Sequence, residues 1–254
     1  MRITEILLET PLDDEELASV GDRAAKFLIN RYAKFDADTD ASLAWNKTPY
    51  DDSDEQMPAF RLINIFPKSK YKFTSAALAQ AIQTVSLTAG IMNESGMYFF
   101  ETKRIVINLE RLDDAAGTAS IIVHELRHSM DRGLTKRPTP APVPMAGDNQ
   151  PLHQVDFKKY LQLTTEVNAR YSQVIYKLRQ FMLTHPNVKN MGATDYKWFI
   201  RDMFKAEHMD TAFELGIADP RYKRLFKRTY LWMTQYFADR MQTPGGVNQT
   251  EIDK

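Results

Sequence analysis

Ala115-Ala116-Gly117-Thr118-Ala119-Ser120-Ile121-Ile122-Val123-His124-Glu125-Leu126-Arg127-His128-Ser129-Met130-Asp131-Arg132-Gly133 decides the fold, because it reads as one helix with two different faces. Ala119, Ile122, Leu126 and Met130 recur at helical spacing and define a side to be buried. His124 and His128 stand close to one turn apart, so both imidazoles leave the opposite side together and can grip one metal ion. Glu125 lies one residue round from His124, within reach of water on such an ion without being a ligand itself. This is a hydrolytic arrangement. Zinc lowers the pKa of its water to about 7, and Glu125 can take that proton as the water attacks a carbonyl, then deliver it to the leaving amine. Asp113 or Asp114 is placed to cap the helix, and Gly133 to end it.

The segments before the motif read as a small sheet and two helices. Residues 97–101 and 104–109 are rich in aromatic and β-branched side chains and predict a hairpin turning at Thr102-Lys103. Residues 60–66 read as a strand closed by Pro67, and Ser75 caps a helix running to about Thr88. Asp13-Asp14-Glu15-Glu16 opens an earlier helix, ending near Phe35, with the stripe Leu17, Val20, Ala24, Phe27 and Leu28. Residues 36–58 are acidic and poor in apolar groups, which predicts an exposed loop; the regular spacing and glycine of a calcium loop are missing.

After the motif, prolines at 138, 140, 142, 144 and 151 exclude helix and central strand and predict a long surface loop, a candidate lid. Residues 157–182 read as one long helix with the stripe Val167, Tyr171, Val174, Ile175, Leu178 and Met182, packed on the motif helix. Two or three helices follow, notably 221–241, whose line of Tyr222, Phe226, Tyr230, Met233, Phe237 and Met241 reads as core. The basic start of that helix, Arg221, Lys223, Arg224, Lys227 and Arg228, reads as a solvated face, and 243–254 as a loose tail.

Bulk composition narrows the function. Lys plus Arg and Asp plus Glu each total 33 in 254 residues, so no overall field draws the chain to nucleic acid or an anionic membrane. With no cysteine there are no disulfides, thiolate nucleophiles or cysteine metal sites, and histidine and carboxylate remain as the strong ligands. Charge at Arg2, Glu5 and Glu9 interrupts the start, and no apolar run approaches membrane-spanning length. The chain reads as soluble and cytoplasmic, without a signal peptide.

A catalytic zinc takes three protein ligands, so the motif needs one more. Asp131 shares the helical face but lies a turn beyond His128 and points past the metal, which makes it a surface residue or a neighbour of the centre. No glycine and histidine continue the motif, and Asp195 in Gly192-Ala193-Thr194-Asp195 stands too far downstream. Glu166, in Thr165-Glu166-Val167-Asn168-Ala169-Arg170, is the better third ligand: it sits a turn or two into the helix, its apolar stripe begins at the next residue, and Ala169 is small enough to let that helix approach the motif helix. The competing reading is a surface glutamate paired with Arg170. Arg170, Tyr171 and His208 are candidate donors to the developing oxyanion, with Arg170 the candidate catalytic partner of Glu125. His153, His185 and His208 otherwise read as ordinary histidines, and Arg127 as facing solvent or paired with an acid.

With His124-Glu125-Leu126-Arg127-His128 on one helix and Glu166 on a following one, the sequence resembles the zinc metallopeptidases whose third ligand is glutamate, the gluzincins, over roughly residues 97–178. The resemblance implies a zincin-like α+β fold, predominantly helical, with a small antiparallel sheet packed on the active-site helix and a helical C-terminal region. It also implies that a strand before the motif, 104–109 or 97–101, edges the cleft and pairs with extended peptide substrate. The family's Asn-Glu-x-x-Ser-Asp form is absent; Glu166-Val167-Asn168-Ala169-Arg170 after a proline-rich loop looks more like small peptidases encoded by tailed bacteriophages. One integrated domain is expected, with an N-terminal α+β region over residues 1–137, the loop 138–152, a helical region over residues 153–242 and the tail 243–254. The expected function is zinc-dependent peptide hydrolysis on a peptide or protein substrate; the alternative is a non-catalytic virion or interaction protein associated with a phage particle.

Overall fold

The structure, a computed structural model, describes residues 11–36, 59–90, 92–133 and 157–242. The motif segment forms α4, Ala115–Gly133, with the bounds its sequence predicts. Asp114 caps it, its carboxylate accepting from the Ala116 amide at 3.0 Å and its carbonyl from Thr118. Ala119, Ile122 and Leu126 are fully buried and Met130 nearly so. This face packs against α1, Pro11–Asp36, whose Leu17, Val20, Ala24 and Leu28 are equally buried. The close approach depends on Gly21, where a Cβ would stand 2.6 Å from Val123 Cγ2 and 3.0 Å from the Ala119 carbonyl.

The sheet is where the structure departs most from expectation. Its order is β1-β2-β4-β3, with β1 at Phe60–Arg61, β2 at Ser86–Gly90, β3 at Gly96–Phe99 and β4 at Arg104–Asn108. β3 and β4 form the predicted antiparallel hairpin, but the turn takes residues 100–103, with Lys103 in the left-handed region at φ 51°. β2 and β4 are parallel, so the sheet is mixed and not antiparallel. β2 occupies what reads in sequence as the end of the helix capped by Ser75. That helix, α3 at Ala76–Thr84, stops as Val85 turns extended. Leu87, Thr88 and Ala89 are all fully buried, and a strand covered on both faces lacks the alternation that reveals one. The predicted strand 60–66 is likewise cut short. After Arg61 the chain winds into α2, Leu62–Ile65, which brings Leu62 and Phe66 into the core one turn apart.

The predicted long helix 157–182 is two helices, α5 at Phe157–Leu161 and α6 at Thr164–Thr184, separated where Leu163 adopts extended angles. α7, Ala193–Ala206, and α8, Pro220–Gln242, complete the helical region. Tyr222, Phe226, Tyr230 and Met233 of α8 pack in its core, as expected of that stripe; the side chains of Phe237 and Met241 lie outside the described residues. At the basic start of α8, Arg221 pairs with Asp219 and Arg228 with Asp14, while Lys223, Arg224 and Lys227 are exposed. α6 joins two apolar clusters: Tyr176 belongs to the core of α1, α4 and the sheet, whereas Tyr171, Val174, Ile175, Leu178 and Met182 belong to the core of α7 and α8. The loop 36–58, the candidate lid and the tail fall almost wholly outside the described residues. Among those described, no helix is long and apolar enough to cross a membrane.

Candidate metal centre

α4 and α6 lie side by side, Ala169 fully buried, and their polar faces meet at three side chains. His124 Nε2 and His128 Nε2 are 3.0 Å apart, and Glu166 Oε2 lies 3.6 Å from the first and 3.5 Å from the second. Donors about 2.0–2.1 Å from a common tetrahedral centre stand about 3.3–3.4 Å from one another, so these separations bracket what one zinc-sized ion requires. The Glu166 side chain is 1% exposed, yet neither oxygen meets a donor in hydrogen-bond geometry. A buried carboxylate is costly unless cations offset its charge; here Arg170 stands at one oxygen and the histidines face the other. Two imidazoles and one carboxylate suit borderline divalent metals, and His124, His128 and Glu166 together fit such an ion.

The break before α6 is what aims Glu166. It places the residue in the first turn of a new helix, where the unpaired amides favour negative charge. Arg170, one turn on, brings Nε to 2.6 Å from Oε1 in an ion pair off the N–H axis, leaving Oε2 to face the histidines. Both sequence readings of Glu166 therefore hold some of the geometry: it pairs with Arg170, and it also closes on the histidines. The charges are mutually reinforcing. Burial works against the charged form of His124, but the Glu166 carboxylate outweighs it and lifts the imidazole to about 9. Burial likewise opposes the Glu166 carboxylate, and His124 and His128 nonetheless hold it well below the usual range.

Around the three groups lies a cleft of about 540 Å³, which Glu125 and Arg170 also line. Of the two strands expected at its rim, β3 is the outer edge of the sheet and lines the cleft from Gly96 to Tyr98; β4 is interior. Gly96 lets β3 sit tightly on α4, since a Cβ there would stand 2.4 Å from Ile121 Cγ2. The preceding bend is tied down by Asn108, whose amide donates to the Met92 carbonyl at 2.7 Å.

Other candidates fall elsewhere. Tyr171 is turned into the second core, edge-on to Phe204, and accepts from Thr229. His208 packs edge-on to Phe157 beside the cleft without lining it, and His185 stacks on Phe181 at the surface. Asp195 accepts from the Gly192 amide at the start of α7, and His153 lies outside the described residues. Arg127 does not face solvent. It is 5% exposed and donates to Asp131, whose other oxygen accepts from Asn168 of α6, so Asp131 bridges the two helices behind the centre.

Among the cleft residues that escape the sequence reading are Tyr160, Gln173 and Glu207. Burial, then the charge of Glu166, pushes the Tyr160 phenol up and keeps it a donor. Gln173 and Glu207 have a legible trace. Glu166, Arg170, Gln173 and Lys177 recur on one side of α6, and Lys177 pairs with Glu207. Compared with known proteins, the chain matches no family model, no curated protein and no solved structure.

Proposed function

We propose that the protein is a zinc-dependent peptidase in which His124, His128 and Glu166 hold the ion and Glu125 is the general base. The observation that carries this reading is the Glu166 carboxylate, 1% exposed and without an aligned donor, standing 3.5–3.6 Å from both histidine Nε2 atoms. Zinc held there supplies a Lewis acid that acidifies water and polarises a carbonyl. The same donor set suits iron(II); Glu125, lining the cleft beside His124, is what favours hydrolysis, because water attack needs a base at that place. Glu125 takes the proton of the attacking water and returns it to the leaving amine. Arg170 and Tyr160 also line the cleft and can donate to the carbonyl oxygen as it gains charge. β3, the edge strand of the sheet among the described residues, offers backbone groups to an extended peptide.

Elemental analysis of purified protein and cleavage of an unfolded protein substrate test the reading. Wild type should contain about one zinc per chain and cleave; Glu125→Gln should keep the zinc and lose at least about 100-fold in rate, the usual minimum for a general base. Cleavage that survives Glu125→Gln rejects the assigned base. Zinc without cleavage moves the protein to the alternative, a metal-holding virion or interaction component, and a folded chain that binds no metal sinks both.

A further inference from the structure

On the other side of the His124 imidazole from Nε2, Nδ1 stands 3.0 Å from Gln173 Oε1. The other end of that amide is committed: Gln173 Nε2 donates to the Ser120 carbonyl and to Ser120 Oγ, each at 3.3 Å. A backbone carbonyl can only accept, so the nitrogen of the amide must face Ser120 and the oxygen must face His124. An amide oxygen can only accept in turn, so Nδ1 must carry a proton. In the neutral ring the Nε2 lone pair is thereby left toward His128 and Glu166. Ser120 lies one helical turn before His124 on α4, and Gln173 two turns after Glu166 on α6, so the same helix pair that assembles the ligands also assembles this relay.

We propose that Gln173, held by Ser120, is the positioning residue that locks His124 in its metal-binding tautomer, and that its neutral carboxamide keeps the centre's grip on metal weaker than a carboxylate would. The inference rests on the metal-binding reading above. Its second half follows from the charges nearby. Glu166 is the one anionic ligand, and Arg170 already stands against its outer oxygen. A carboxylate on Nδ1 would make the imidazole a stronger donor and add negative charge close to the ion; a carboxamide orients the ring and adds none.

Zinc affinity measured by competition with a chromophoric chelator, on wild type, Gln173→Met and Gln173→Glu, tests this without using activity. Methionine is close in volume but cannot accept from Nδ1, and should weaken zinc binding about 10–100-fold, the range for losing such a partner. Glutamate keeps the acceptor, Ser120 Oγ–H can turn to donate to its second oxygen, and binding should be tighter than wild type. In the zinc-loaded wild type the His124 Nδ1 proton should be visible by NMR and protected from exchange, and that protection should vanish in Gln173→Met. Binding by Gln173→Met within about twofold of wild type overturns the positioning role, since a lost partner costs at least tenfold. If Gln173→Met fails to fold, Gln173→Glu decides: weaker binding than wild type overturns the proposal. Wild type that binds zinc while the variants do not differ removes this inference alone; wild type that binds none removes the metal reading with it.

Discussion

Glu166 is the residue on which the centre turns, because every neighbour either compensates its charge or is charged by it. Arg170 holds Oε1, the first turn of α6 favours the negative end, and two imidazoles face Oε2. Glu166→Ala should weaken zinc binding by more than about 100-fold, beyond the cost of losing an outer partner, and unchanged zinc content would reject it as a ligand. The same pairing sets a pH dependence. His124 is lifted from 6.5 to about 9 in the folded protein, so without metal its charged pair with Glu166 stabilises the fold fully below 6.5 and is lost as pH rises through 9. A bound metal would have to displace the Nε2 proton, so apparent zinc affinity should rise about tenfold per pH unit as pH climbs toward 9 and flatten above it. A flat profile from chelator competition in metal-stripped protein would show that His124 is not charged there. Glu166 is legible in sequence because a carboxylate beside an apolar stripe demands a partner. Gln173 is not, because a lone amide carries no such demand; only its place on the polar line through Glu166 and Arg170 marks it.

At the scale of elements, the legible ones were those whose apolar residues recur at helical period. α1 and α4 both carry such a stripe and were readable almost to the residue, although in α4 the polar side from Ser120 to Ser129 is itself largely covered. β2 was not, since it is buried on both sides and follows an alanine-rich helix whose pattern runs into it. The division of α5 from α6 was equally hidden, because Gln162 and Leu163 carry no glycine or proline; backbone angles at Leu163, not composition, make the break. The α4–α6 pairing also has a tie the motif does not announce: Asp131 joins Arg127 to Asn168 at 3.0 and 2.9 Å. Asp131→Ala leaves a nearly buried guanidinium without this carboxylate and should destabilise the protein by about 1–3 kcal/mol, with zinc binding weakened as Glu166 drifts from the histidines. Urea denaturation checks the first effect and chelator competition the second. A variant of wild-type stability would show that Asp131 contributes nothing to the helix pairing.

For the molecule as a whole, the question is whether its two apolar cores behave as one. They share α6, and α1 is bound to that helix by more than packing: Asp22 accepts from Tyr176 at 2.7 Å and from Gln180 at 2.8 Å, while Asp14 accepts from Ser172 and pairs with Arg228 of α8. Melting either core would leave one face of α6 bare, so a half-folded form keeps little of what stabilises it. Calorimetry should therefore show one transition. Leu126→Ala empties a fully buried site in the first core and Leu178→Ala one in the second, each costing about 2–5 kcal/mol. Each should lower the same midpoint by roughly 5–15 °C, as expected for a chain of this size. Two separated transitions, or a substitution that moves only one of them, would mean that the helical region folds independently. The proposed metal gives an internal control, since zinc would bind groups that α4 and α6 bring together only in the folded state. Excess zinc should raise that single midpoint, the more so the larger its ratio to Kd, and Glu166→Ala should abolish the rise while leaving the transition undivided.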